Sequence, residues 1–173
     1  PKIDFMANDS LGRQWQVATI QLDMNMPERF DLTCMNEKGE KERIVMIHAA
    51  IMGSIERFLS IVIEHFSGNF PLWLAPVQVM VIPVGEAHHA VASGVYDALK
   101  AAGLRAEIDF VDGNFGKKIR QAKTARIPYF IIIGDKDVAV NKITLESRDR
   151  GQIGQLSLDE VVKQLIEENS AKK

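Results

Sequence analysis

The hydrophobic pattern of this chain changes period once, and the change falls at a segment bracketed by prolines, Pro71-Leu72-Trp73-Leu74-Ala75-Pro76. Before it, apolar and polar residues alternate as in half-buried strands. After it, continuous apolar runs are separated by stretches with helical spacing. A proline biases the residue before it toward extended backbone, so 71–76 reads as a linker between domains at 1–70 and 77–173. An apolar content of 46% over 173 residues is enough for real cores.

In the first part, Pro1–Phe5 and Trp15–Leu22 flank the turn residues Asn8-Asp9-Ser10-Leu11-Gly12, which predicts an antiparallel hairpin. Strict alternation puts Trp15, Val17, Thr19 and Gln21 on one face of the second strand, with Gln16, Ala18, Ile20 and Leu22 on the other. A turn and strand are expected over 26–32, a charged hairpin tip over 36–42, and a returning strand over 43–48. That strand ends at His48. A small-residue turn containing Gly53-Ser54 follows, and Ile55, Phe58, Leu59, Val62 and Ile63 then recur with helical spacing.

A strand-to-helix corner lets polar side chains face a ligand while the elements behind them stay packed. Arg57 on this helix has the chemistry to lie over a purine or to pair with phosphate oxygens, and equally to pair at the surface with Glu56 or Glu64. His48 fits either a hydrogen-bonded structural role or a metal ligand, and Ser54 suits a helix cap.

Past the linker, strands are expected at 77–84, 106–110, 127–134 and 143–147, and helices at 87–102, 116–126 and 157–168. The last helix is opened by the capping box Ser157-Leu158-Asp159-Glu160. Apolar strands alternating with helices imply an α/β domain with a mostly parallel mixed sheet flanked by helices. Ligands of such sheets gather at the carboxyl ends of the strands, here 109–114 and 134–141. Lys117, Lys118, Arg120, Lys123 and Arg126 crowd one helix with no acid among them. Such a cluster supplies phosphate contacts to RNA, or simply a solvated helix face.

The net charge of −2 and pI of about 6.1 give no bulk sign of a nucleic-acid partner, so any RNA contact must be local. The single cysteine, Cys34, excludes an internal disulfide framework and fits a reducing cytoplasm. No signal-peptide pattern opens the chain, and the apolar runs are too short to span a bilayer. Asp112-Gly113-Asn114-Phe115-Gly116 precedes a helix but lacks the Gly-Lys-Ser/Thr ending of a phosphate loop, which argues against an unrelated nucleotide-binding protein.

The run H-A-A-I-M-G-S-I-E-R-F resembles motif 3 of the class II aminoacyl-tRNA synthetases, in the form found in the threonine-specific branch. P-K-I-D-F, T-I-Q-L-D and W-L-A-P-V-Q-V follow that branch in the same order. The resemblance implies an antiparallel catalytic-domain end followed by an anticodon-binding domain. The implied reaction joins threonine to tRNA(Thr) through an adenylate made from ATP with Mg2+. Arg57, Lys2 and Gln21 would serve catalysis, and Gln16, Thr19 and Ser54 would join Arg57 in binding ATP and substrate. His48 would be one ligand of a Zn2+ whose other protein ligands, a Cys and a His, lie upstream, and the full-length protein is expected to dimerise.

The same resemblance points to Asp112, Asp137, Lys117, Arg120 and Arg148 for the anticodon. Six positions depart from the branch's usual pattern: Val17-Ala18 for Cys-Gly, Ala49 for Arg, Asp112 for a frequent Asn, Asp137 for Glu and Glu146 for Arg. The chain opens without Met and lacks motifs 1 and 2, so it reads as the tail of a longer protein, probed in isolation as a tRNA-binding module rather than a competent ligase.

Overall fold

Alternating residues between Lys2 and Asp23 form two antiparallel strands, β1 (Lys2–Asn8) and β2 (Gln14–Asp23), and β2 pairs on its other edge with β5 (Met46–Ile51). These are seen in a computed structural model that describes residues 1–111 and 114–172. A short helix, α1 (Asn25–Arg29), leaves the end of β2 where a turn and strand were expected. A small hairpin follows, of β3 (Thr33–Met35) and β4 (Lys41–Arg43). Asn36 closes it by accepting the backbone N–H groups of Lys38 and Glu40.

After β5 comes α2 (Ile55–Phe66), with Ser54 at its entrance. The apolar sides of this unit are uncovered within the chain. Ile3, Phe5, Ile20, Ile47 and Ile51 on the sheet, and Ile55, Leu59 and Ile63 on α2, are all exposed; Pro27 is the one fully buried residue of Pro1–Phe66.

The second unit spans Ser67–Lys173. The segment read as a linker belongs with it. Leu72 is buried in its core, and the guanidinium of Arg105 donates to the carbonyls of Ala75 (2.9 Å) and Trp73 (2.7 Å). Buried Gln78 donates to the Leu72 carbonyl at 2.8 Å and accepts from the Arg105 N–H at 2.9 Å, so one amide side chain ties the entry segment to the sheet.

The sheet of this unit combines β6 (Val79–Pro83), β7 (Ala106–Ile108), β8 (Tyr129–Ile133), β9 (Ile143–Ser147) and β10 (Gly151–Leu156) in the order β10-β9-β8-β6-β7. The three strands β7, β6 and β8 are parallel, and β9 and β10 form an antiparallel edge. Strand β10 was not expected, because Gly151, Gln152, Gly154 and Gln155 carry little strand signal; pairing to β9 supplies what propensity does not.

One face of this sheet packs Val79, Val81, Ile131 and Leu145 against α3 (His89–Ala101) and α6 (Leu158–Ser170). The other packs Ile82 and Phe130 against Ala122 of α4 (Phe115–Thr124). A 3-10 turn at Glu86–His88 leads into α3, and a five-residue helix, α5 (Asp135–Ala139), follows β8. The Ser157–Glu160 capping box is present at the start of α6. Among the described residues no helix is long and apolar enough to cross a membrane.

Candidate functional site

Register decides which side chains of the first sheet share a face. Lys2 pairs with Gln21 and Asp4 with Thr19 across β1 and β2, and Gln21 pairs with His48 across β2 and β5. Directly paired residues point to one side, so Lys2, Asp4, Thr19, Gln21, Asp23 and His48 line a single polar face.

Gln16 joins them, which strict alternation did not allow. Phe5 pairs with Ala18 but Met6 with Gln16, so Val17 is an extra residue in β2, and the bulge turns Gln16 to the side of Thr19. The Gln16 amide donates to Asp4 Oδ1 at 2.8 Å and the Thr19 hydroxyl to the same oxygen at 2.7 Å, while Lys2 Nζ lies 2.8 Å from Oδ2. Asp4 is therefore the hub of three residues named from sequence, though it was not itself named. The lysine contact, followed by the threonine hydroxyl, holds its carboxyl below the usual range. Its only sequence signal was a position two residues from Lys2 on an alternating strand.

His48 carries a second carboxylate contact. Its Nε2 is 3.0 Å from Asp23 Oδ2, and Asp23 Oδ1 accepts the backbone N–H groups of Asn25 (2.9 Å) and Met26 (3.0 Å) at the start of α1. Those bonds, the Met26 N–H first, lower the Asp23 pKa. The imidazole is about half exposed, with its side chain at 49%. Among the described residues no group of three His, Cys, Asp or Glu could hold a metal.

Between His48 and Arg57 the backbone turns through Met52 (φ 69°) and Gly53 (φ 61°). The positive φ favours glycine at this corner, and a Cβ on Gly53 would also stand close to the Gln16 carbonyl oxygen, at 3.3 Å. Ser54 caps α2: its hydroxyl donates to Glu56 Oε2 at 2.7 Å and accepts the Arg57 N–H at 3.3 Å. Glu64 is occupied by Arg13 at 2.7 Å. With both nearby acids engaged, the exposed Arg57 guanidinium has no ion pair among the described residues, and Gln21 is likewise exposed.

In the second unit the named residues divide. Asp112 lies outside the described residues. Asp137 is buried: it accepts from Thr144 Oγ1 (2.6 Å), Gln155 Nε2 (2.9 Å) and the Gly134 N–H (3.1 Å), which fixes the start of α5. Arg148 spends its guanidinium on the carbonyls of Phe70, Arg126 and Asn69 and on Asp149, and so works as a clasp within this unit. Of the basic helix, Lys118 turns inward to the Asp109 carbonyl at 3.1 Å and Lys123 pairs with Glu146 at 2.6 Å. Lys117 and Arg120 remain exposed and share an open groove on α4 with Gln121, Thr124 and Ala125.

Comparison with known families agrees with both units. Residues 1–66 match the class II tRNA synthetase core domain (G, H, P, S and T), and residues 78–168 match an anticodon binding domain. The chain belongs to the class II aminoacyl-tRNA synthetases, joining part of a core domain to an anticodon-binding domain.

Within that class its homologues are threonine--tRNA ligases. It is 48% identical over 172 residues to the enzyme of Caldanaerobacter subterraneus subsp. tengcongensis, covering 99% of this chain and 27% of that one. It is 51% identical over 165 residues to the enzyme of Clostridium tetani, covering 95% of this chain and 26% of that one. The chain thus spans about a quarter of the length of these relatives. The solved RNA binding domain of threonyl-tRNA synthetase from Cryptosporidium parvum superposes with a TM-score of 0.87 at 35% identity, over 97% of this chain and 43% of that one.

Proposed function

We propose that this chain supplies one wall of the aminoacylation site and the anticodon-reading domain of a threonine--tRNA ligase. The observation that carries the reading is the sheet face on which Lys2, Gln16, Thr19, Gln21 and His48 stand together. In this reading no protein nucleophile is needed. Catalysis is positioning and charge stabilisation while the threonine carboxylate displaces pyrophosphate from ATP. Arg57 clamps the nucleotide with a guanidinium that no carboxylate pairs with among the described residues. Lys2 is held in place by Asp4, and Gln16, Gln21 and Thr19 offer hydrogen bonds to substrate from the same side of the sheet.

His48 is the one zinc ligand of this chain, and a bound Zn2+ would select threonine by gripping its amine and hydroxyl. Mg2+ would accompany ATP. In the second unit, Lys117 and Arg120 meet tRNA phosphates, while Asp137 orders the loop beside which bases are read. The anticodon reading extends to Asp112.

Threonine-dependent exchange between pyrophosphate and ATP, measured on the full-length protein, tests the enzyme reading; exchange driven by another amino acid instead would reject it. A second reading, a tRNA-binding module without catalysis, suits this stretch in isolation, because only its second unit has a buried core. Binding of tRNA(Thr) by the 173-residue chain, lost when the anticodon arm is removed, would support that role.

A further inference from the structure

We propose that Phe110, backed by His89, is a stacking platform for one unstacked base of the tRNA anticodon loop. The inference rests on the reading of the second unit as the anticodon-reading domain and adds to it a contact made through a ring face rather than a hydrogen bond.

Position comes first. Strands β6 and β7 run parallel, with Val81 paired to Ile108, so the segments that follow them leave the sheet at the same carboxyl edge. Ligands of such sheets gather at this edge. Phe110 follows closely on β7, and His89 opens α3, which is reached from β6 through the turn at Glu86–His88. The two ring centroids are 4.6 Å apart, with the planes inclined at 51°.

The backbone behind each ring is held. Asp109 donates its N–H to the Val81 carbonyl (3.0 Å), accepts from Lys118 Nζ at its own carbonyl (3.1 Å), and accepts the Val111 N–H at Oδ1 (2.9 Å). Both chain neighbours of Phe110 are therefore fixed. Next to His89, the buried His88 places its Nε2 3.0 Å from Asp135 Oδ1. Phe110 is nonetheless 40% exposed, and Val84 and Val111 from the same two segments are exposed as well. The phenyl ring is set in place by its surroundings without being covered by them.

The neighbouring charge indicates what would cover it. Lys118 brings the first turn of α4 against Asp109, and Lys117 and Arg120 on that helix are exposed. An aromatic face beside exposed cations suits a splayed nucleobase whose flanking phosphates meet the ammonium and guanidinium groups. Every base has a flat face, so such a stack fixes the position of the loop and leaves the choice of base to hydrogen-bonding groups.

The test is binding of tRNA(Thr) to the full-length protein over a range of salt concentrations, with transcripts made abasic at one anticodon-loop position at a time. Phe110→Leu keeps an apolar side chain but has no ring. It is expected to weaken binding roughly 5- to 150-fold, the range for one base–aromatic stack, with an unchanged salt slope. Lys117→Ala should instead reduce that slope by about one. At one loop position the abasic transcript should bind the wild type more weakly by a similar factor, and Phe110→Leu should add nothing to that loss. Phe110→Trp should retain binding, and His89→Ala should cost less than Phe110→Leu.

If Phe110→Leu binds every transcript like the wild type while removal of the anticodon arm weakens binding, the platform is overturned and the anticodon reading stands. An equal loss in Phe110→Leu for every transcript, abasic ones included, also overturns it, because the effect is then structural. If removal of the arm leaves wild-type binding unchanged, the anticodon reading falls, and this inference with it. A wild type that loses no affinity for any abasic transcript overturns the platform without a variant, so the test survives a substitution that fails to fold.

Discussion

Single carboxylates organise the first unit, and each holds a different kind of partner. Asp4 gathers an ammonium, an amide and a hydroxyl; Asp23 holds an imidazole; Asp9 binds the Trp15 indole N–H at 2.9 Å and the Arg13 guanidinium. The indole contact comes first among the causes that depress the Asp9 pKa below its ordinary 3.8, ahead of the Arg13 contacts. A folded-state pKa below the unfolded value means stabilisation that is complete above about pH 4 and lost as pH falls through the depressed value. The Trp15 indole N–H resonance should hold its position down to about pH 4 and move at lower pH. In Asp9→Asn it should be insensitive to acid over the same range. A second residue-scale expectation concerns Asp4. Asp4→Ala should lower kcat/KM of the full-length enzyme by on the order of 10-fold or more, because Lys2, Gln16 and Thr19 lose their common acceptor. Little change in melting temperature should accompany it, since Asp4 is exposed.

At the scale of elements, the corner between β5 and α2 is the part that tolerates least. Gly53 has φ 61°, and a Cβ there would crowd the Gln16 carbonyl oxygen at 3.3 Å. Gly53→Ala should destabilise the full-length protein by about 1–2 kcal/mol, the penalty for a side chain in the left-handed region. It should also reduce activity by displacing Gln16, whereas Ser157→Ala at the cap of α6 should lower stability by about 1 kcal/mol and leave activity unchanged. Chemical denaturation beside steady-state kinetics separates the two. The helix after the corner and the capping box of α6 were legible because spacing and caps are local. The bulge at Val17 was not: nothing in Gln16-Val17-Ala18 marks the extra residue, which appears only when β1 sets the register. Helix α5 was missed for a related reason. Its five residues carry too short a pattern, and it is held by Asp137 bonding to Gly134, Thr144 and Gln155, which are brought together by the fold.

For the whole molecule, the contrast between units is the main fact. Apart from Pro27, every fully buried apolar side chain lies between Leu72 and Leu165, so the hydrophobic driving force of this chain is concentrated in Ser67–Lys173. Limited proteolysis of the 173-residue chain should leave a resistant product beginning near Ser67, with 1–66 degraded first; equal resistance of the two parts would contradict this. The domain change was readable from hydrophobic period alone, but its position was not. Pro71 and Pro76 suggested a linker, while the buried Leu72 and the carbonyl contacts to Arg105 show a segment packed on the second unit. The basic helix was half legible: composition displayed five cations, and only coordinates show that Lys118 and Lys123 are already engaged.

On the proposed reading, a strand-to-helix corner presents Arg57 to a nucleotide in a threonine-activating site. It is tested most directly by pyrophosphate–ATP exchange in the full-length protein with and without threonine, comparing the wild type with Arg57→Ala. The account predicts exchange that requires threonine and falls by roughly 100- to 1,000-fold in the variant, the range for losing one charge-stabilising donor. Exchange that does not require threonine, or that Arg57→Ala leaves unchanged, would contradict it.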